Sequence, residues 1–283
     1  MGASLKKIDK LRFGTAGIPI STPQPNTANG IGHVRKLGLE AMELEFVQSV
    51  NIKEEGAPAV KQAAEKNDVI LTCHGQYFIN LNAAEKAKLE ASKHRVYTAA
   101  KRAWQCGGWS MCFHSAFYLG SDSRTTYEKV KVQLKEVVKK LKDEGADIWV
   151  RPETMGRQSQ FGTMDEILGL SLEIENVMPC IDFSHLYARE IGKQNSIEFY
   201  SGILELVESK LGKEGLNNMH IHCQGIEFGD KGEKKHLPLS ESKFDYEAVL
   251  KSLKEFKAKG VVICESPIME EDAKVLLKTY EKL

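Results

Sequence analysis

The amino-acid sequence predicts a single-domain α/β protein, a (β/α)8 TIM barrel spanning residues 1–283. Three observations carry this expectation. Eight short apolar, β-branched runs recur along the 283 residues, segments of helical periodicity separate them, and no Pro/Gly/Ser-rich linker divides the chain into halves. An open doubly wound sheet would announce itself with a glycine-rich first turn, and "FGTAGIPI" is a poor match to that fingerprint.

The strand candidates follow in order: "RFGTAGIPI" at 12–20, "AMELEF" at 41–46, "VILTCHG" at 69–75 and "GWSMCFHS" at 108–115. "DIWVRPET" at 147–154, "VMPCIDFSH" at 177–185, "NMHIHC" at 218–223 and "GVVICES" at 260–266 complete them. Between the third and fourth runs lies "NAAEKAKLEASKHRVYTAAKRAWQCGG", rich in helix formers, with Asn82 as the expected N-cap and Gly107 just past the C-terminus. "TTYEKVKVQLKEVVKKLKDEG" and "FDYEAVLKSLKEFKAKG" repeat the scheme, each ending in lysines and a glycine that suit a helix C-terminus. Their lysines read as a solvated helix face.

Composition narrows the class further. Lys plus Arg equals Asp plus Glu at 39 each, so no overall basic field draws the protein to a polyanion, and any such partner must be held by a local patch or by metal. The start, "MGASLKKIDKLRFG", has no apolar leader, no stretch of about 18 apolar residues occurs, and a cytoplasmic protein without a membrane or an implied protein partner is expected. Six cysteines without a CxxC pair, mostly inside apolar runs, point to free thiols that pack as small hydrophobes.

In such a barrel the chemistry sits where the strands end. The first two runs end without a ligand-type pair. The third ends on His74, the fourth on His114, the fifth on Glu153, the sixth on Asp182 and His185, the seventh on His220 and His222, and the eighth on Glu265, with His236 in the loop beyond the seventh. Six of the eight histidines therefore fall at one end of the fold; His33 and His94 lie in helical stretches. Singly, each has an ordinary explanation: a rim imidazole, or for Asp182 the cap of the next helix. Together, six imidazoles and three carboxylates around one mouth cost too much to bury unless something charged satisfies them. Imidazole and carboxylate without thiolate suit Zn, Mn, Co or Fe, and the number of donors suits two or three ions sharing a bridging carboxylate. Clustered metals of that kind mostly serve displacement at phosphorus, so phosphoester hydrolysis is the expected reaction.

The segments "CHGQYFINL", "FHSAF", "RPETMGRQSQFG", "CIDFSH", "MHIHCQG" and "CESP", in that order along nearly the whole chain, resemble the endonuclease IV family of apurinic/apyrimidinic (AP) endonucleases. The resemblance implies a (β/α)8 barrel with a polynuclear zinc site, two or three ions with Mn2+ as a substitute, that cleaves DNA 5′ to an abasic site. It implies His74, His114 and Glu153 at the first zinc, and Glu153, Asp182, Glu265 and a seventh-strand histidine at the second, with spacing favouring His220 over His222. His185 would serve the third. Glu153 and Glu265 would flank the attacking hydroxide as catalytic residues, and Tyr77 and Phe78 match the pair that the family inserts into DNA.

The sequence also departs from that family. The Asp-x-His pair of the third zinc reads Glu233, Lys234, Lys235, His236 here, which leaves open a site rebuilt from Glu233 and His236, a weak site, or none. His-Pro-Gly after the fourth strand reads His114, Ser115, Ala116, and the loop "EFVQSVNIKEEG" lacks the arginine with which the family probes the DNA stack. The rival expectation is a single-metal sugar isomerase or epimerase of the xylose-isomerase-like barrels, which needs only Glu153, Asp182, one seventh-strand histidine and Glu265.

Overall fold

A computed structural model describes residues 7–283. The chain begins β1 (Leu11–Ala16), α1 (Thr27–Lys36), β2 (Ala41–Glu45), α2 (Ala57–Asn67), β3 (Ile70–His74), α3 (Lys86–Gln105), β4 (Ser110–Phe113) and β5 (Ala116–Phe117). It continues α4 (Ser123–Asp143), β6 (Trp149–Pro152), β7 (Gln160–Phe161), α5 (Met164–Glu173), β8 (Cys180–Asp182), α6 (Phe183–Arg189) and α7 (Ile197–Leu216). The last part is β9 (Met219–His222), β10 (Gly225–Gly229), β11 (Gly232–Leu237), α8 (Tyr246–Glu255), β12 (Gly260–Cys264) and α9 (Glu270–Lys282).

Eight strands, each from one of the eight predicted runs, pair in parallel in the order β6-β4-β3-β2-β1-β12-β9-β8. The seam closes through bridges from Val150 to Val177 and from Glu153 to Cys180, with the Thr154 N–H donating to Cys180 O at 3.1 Å. The expected single-domain (β/α)8 barrel is therefore the observed one. Two small antiparallel pairs, β5 with β7 and β10 with β11, sit over the C-terminal mouth. No helix among the described residues is long and apolar enough to cross a membrane.

Alternation along each strand separates two environments. Phe13, Leu44, Leu71, Met111, Val150, Ile181, Ile221 and Val262 pack outward into the shell of helices. The barrel floor is a separate apolar plug of Ile8, Ala41, Ile70, Trp109, Trp149, Met178, Val261 and Ile263. Arg151 stands on this plug, fully buried, its guanidinium 4.6 Å from the Trp109 ring centre and donating to Pro179 O and Asn218 O at 2.8 Å each. Burial pulls its pKa down to about 9.

Two local expectations are corrected. Asn82 does not cap α3, which starts at Lys86 after Glu85; its amide instead donates to Phe117 O and Tyr118 O at 2.8 and 3.1 Å, tying the loop after β3 to the one after β4. Gly107 does follow the helix at φ +77. Gly260 does not end α8, which stops at Glu255 with Lys257 taking the left-handed turn at φ +53. Gly260 opens β12, at φ +129, where a Cβ would lie 1.9 Å from Met219 O. Gly260→Ala should therefore cost about 2 kcal/mol or more through strain and overpacking; a urea midpoint equal to that of the unsubstituted protein would contradict this close β9–β12 approach.

Candidate metal centre

Strand β8 ends on an acid because that acid does two things. Asp182 caps α6: its Oδ1 accepts from the His185 N–H at 2.7 Å and from the Ser184 hydroxyl at 2.6 Å. Its Oδ2 accepts from Gln224 Nε2 at 2.7 Å and lies 3.3 Å from His185 Nδ1. The helix-cap explanation and the site explanation of Asp182 are both present in one side chain.

Glu153, fully buried, is the centre of the mouth. Its Oε2 lies 3.3 Å from His74 Nε2 and 3.5 Å from His114 Nε2, and its Oε1 lies 3.2 Å from His222 Nδ1 and 3.3 Å from His185 Nδ1. Glu265 Oε2 is 3.4 Å from His222 Nδ1. Glu153 Oε2 makes no aligned hydrogen bond despite its two imidazole neighbours, the condition of an oxygen whose lone pairs face a shared electrophile. The rings are set up for the same purpose. His74, His185 and His236 each bring Nδ1 to a backbone carbonyl, Gly75 O at 2.7 Å, Thr154 O at 3.0 Å and Glu265 O at 3.3 Å. A carbonyl only accepts, so Nδ1 carries the hydrogen and Nε2 is left as the donor to a metal. Donor atoms of Glu153, Asp182, His222 and Glu265 lie within 4.8 Å of one another, as do those of Asp182, His185 and His236. This donor set fits divalent metal.

The third group depends on a bulge. In a regular strand residues three apart face opposite sides. In the β10–β11 hairpin, Glu227 pairs with Lys235 and Phe228 with Glu233, so Lys234 is an extra residue that resets the alternation. Glu233 and His236 thus turn to the same side, with Glu233 Oε2 3.5 Å from His185 Nε2 and Oε1 3.9 Å from His236 Nε2. The one-residue displacement of His236 seen in the sequence is offset by one bulged lysine.

The seventh strand reverses the spacing argument. His222 reaches Glu153 and Glu265, whereas His220, two residues earlier, lies one layer deeper, with Nδ1 2.9 Å from Ser110 Oγ and Nε2 3.0 Å from Glu43 Oε2. Sequence reasoning also missed Glu43 and Glu45. Both lie on β2, whose run ends without a histidine; the signal was their i, i+2 spacing, which puts both on one strand face. Glu43 is fully buried with Oε1 3.0 Å from His222 Nε2. Cys112 and Cys180 were expected to act as small hydrophobes. All six cysteines are free, but Cys73, Cys106, Cys223 and Cys264 join the apolar shell while Cys112 and Cys180 do not: their thiols face His220 and His222.

At the rim, Tyr77 stands with its ring centre 5.5 Å from that of His74 and 5.7 Å from that of His114, half exposed at 48%. Phe78 is 59% exposed, an unusual solvent contact for a phenyl ring beside a polar mouth.

Electrostatics follow from burial. It opposes ionisation of Glu153, but the charge of His222 and the close imidazoles of His185, His222 and His74 hold its carboxyl well below the usual range. Burial likewise opposes a charge on His74, yet Glu153 outweighs it and raises His74 to about 10. His114 is lowered to about 4 by burial and by the charges of His74 and His185. Glu45 is pushed up to about 8 by burial and the neighbouring Glu43. Burial works against the Cys180 thiolate too, but the Cys112 hydrogen bond and the His220 and His222 charges lower it to about 6.

The family profile described as xylose isomerase-like TIM barrel matches residues 31–282, nearly the whole chain. The chain belongs to the xylose isomerase-like TIM barrel family. It is 46% identical over 273 residues to an uncharacterized protein of Methanocaldococcus jannaschii, covering 96% of this chain and 98% of that one. Among solved structures, endonuclease IV from Thermus thermophilus superposes with a TM-score of 0.72 at 19% identity, over 96% of this chain and 98% of that chain. A D-tagatose 3-epimerase-like protein superposes equally, at 0.72 and 17% identity, over 96% and 97%. Such low identities establish the xylose isomerase-like fold, and both chemistries occur on it.

The sign of the pH dependence is fixed by His74. Its folded pKa of about 10 exceeds the ordinary 6.5, so in metal-free protein its contribution is fully present below 6.5 and is lost as pH rises through 10. Chelator-treated protein should show a falling Tm between these values, and metal should flatten that fall because ligation requires the neutral ring. A metal-free Tm that is constant or rises across the window would show that His74 and Glu153 are not paired.

Proposed function

We propose that this chain is a metal-dependent phosphodiester hydrolase that cleaves DNA 5′ to an abasic site. The supporting observation is the surplus of imidazoles around Glu153. A single-metal isomerase or epimerase needs Glu153, Asp182, His222 and Glu265, one of the groups brought within 4.8 Å. His74, His114, His185, His236 and Glu233 have no role in such an enzyme, yet all lie around the same mouth, with ring nitrogens 3.3–3.9 Å from carboxylate oxygens. A polynuclear site uses all of them.

His74 and His114, both beside Glu153 Oε2, would hold one ion with it, Glu153, Asp182, His222 and Glu265 a second, and His185, Glu233 and His236 a third; zinc suits this set and Mn2+ is accommodated by it. Bound metal would supply Lewis acidity and a water acidic enough to act near neutral pH. The protein supplies the rest. Glu153 and Glu265, with carboxyls held ionised, flank the position of attack and orient the water there. Lys231, Lys234 and Lys235 of the β10–β11 hairpin would meet phosphates, Lys234 and Lys235 by leaving Glu227, 3.4 and 3.5 Å away. Tyr77 and Phe78 offer exposed rings for a base step parted at the lesion.

The deciding assay places a duplex with one abasic site beside a panel of ketohexoses, using zinc- and manganese-loaded protein. Incision 5′ to the lesion, reduced to the no-enzyme level in Glu153→Gln with the fold retained by circular dichroism, is the expected result. Ketohexose epimerisation without incision would replace this reading by the single-metal one. Phe78→Ala should weaken DNA binding by about tenfold to a hundredfold, the usual value of one stacking ring, with little change in kcat. An unchanged KM would remove Phe78 from the DNA interface.

A further inference from the structure

Below the mouth lies a second cluster of which the phosphodiesterase reading uses only His222. Cys112 from β4, Cys180 from β8 and His220 and His222 from β9 are buried in the barrel interior, with one donor atom of each inside a mutual 4.8 Å. We propose that these four side chains form a second, deeper metal site for a thiophilic divalent ion, zinc above all, joined to the mouth by His222.

The two faces of His222 make the junction. Its Nδ1 points to Glu153 and Glu265, while its Nε2 lies 3.0 Å from Glu43 Oε1 and 3.7 Å from Cys112 Sγ; serving both sites at once it would be an imidazolate, its ring proton released to solvent as the second ion binds. His220 is oriented for the deeper role, because Ser110 Oγ engages its Nδ1 at 2.9 Å and leaves Nε2 facing inward. That Nε2 is fully buried and makes no aligned hydrogen bond, although Glu43 Oε2 is 3.0 Å away; Glu43 Oε1 is equally unaligned. Buried polar atoms that lie close to one another without being aimed at one another are suited to a shared centre between them. Tetrahedral zinc, with Zn–S near 2.3 Å and Zn–N near 2.0 Å, spaces its donors by about 3.3–3.8 Å, so contraction of about 1.5 Å or less completes the shell. Two thiolates and two imidazoles are a known structural zinc set.

The plain alternative is that Cys112 and Cys180 are ordinary core thiols. The placement of the other four cysteines argues against it, since those four lie in the apolar shell and these two face imidazoles. The proposal is independent of which reaction the mouth performs.

The test is the full chain loaded with Co2+, read by absorption and by metal content. Thiolate bound to cobalt gives a near-ultraviolet charge-transfer band that imidazole and carboxylate ligands do not. The unsubstituted protein should show it; Cys180→Ala should abolish it and lose one equivalent of metal, and Cys106→Ala, in the apolar shell, should keep both. His185→Ala should lower metal content at the mouth and leave the band, so failure of the mouth reading and failure of the deep site are separable. Absence of the band in the unsubstituted protein overturns the proposal whatever the variants do. A band that survives Cys180→Ala also overturns it, because Cys112 would then be serving the group of His74 and Glu153 beside it.

Discussion

Three carboxylates, Glu43, Glu153 and Asp182, are fully enclosed in a closed barrel, and the side chains around Glu43 and Glu153 follow from having to balance them. The available interior guanidinium, Arg151, is turned to backbone carbonyls and the floor tryptophans. The balance therefore falls to imidazoles: His220 and His222 against Glu43, and His74, His114, His185 and His222 against Glu153. A lysine in these positions would put a single nitrogen on a long flexible stem. An imidazole can be a cation, a neutral hydrogen-bond partner or a metal ligand without moving.

The barrel makes this arrangement geometrically cheap. Parallel strands in chain order bring their C-terminal ends to one rim, so residues tens to hundreds of positions apart in sequence converge with little dependence on loop conformation. Where a loop must contribute, it is braced. The β10–β11 hairpin is tied to the loop after β6 by the Glu233 N–H donating to Gly156 O at 3.1 Å and by Arg157 Nε donating to Glu233 O at 3.1 Å. The bulge at Lys234 is thus held in register, and Glu233 and His236 inherit that rigidity.

The fold was legible because its signal is redundant: eight β-branched runs separated by helical periodicity remain readable when single boundaries shift. The misplaced details, Asn82 as a cap and Gly260 as a helix end, were local signals overridden by tertiary hydrogen bonding and by the β9–β12 approach. At the mouth, histidines were conspicuous because they interrupt apolar runs. Glu43 and Glu45 were not, because a glutamate alternating with apolar residues reads as the wet face of a strand, and only barrel closure turns that face inward. His220 and His222 share a face, and spacing ranked them in the wrong order; depth along the barrel ranks them correctly, and depth is a property of strand stagger rather than of sequence. The thiols of Cys112 and Cys180 were hidden for the same reason, being indistinguishable in sequence from the four that pack against helices.

These constraints bear on how the centre forms. In metal-free protein the mouth is not an array of uncompensated acids, because His74 holds a proton up to about 10 and His185 well above its usual value. On the proposed reading, protons and metal ions would be alternative cations for one set of sites, and the barrel could close around the protonated form before metal arrives. Loading would then exchange protons for metal at the Nε2 atoms of His74 and His185, while their Nδ1 contacts to Gly75 O and Thr154 O would keep the rings aimed. Backbone carbonyls suit this orienting role because they belong to the strand ends themselves, and their acceptor character does not change with pH or with the ion bound. Ring orientation is therefore set by the barrel, and on the proposed reading occupancy would be set by pH and metal supply.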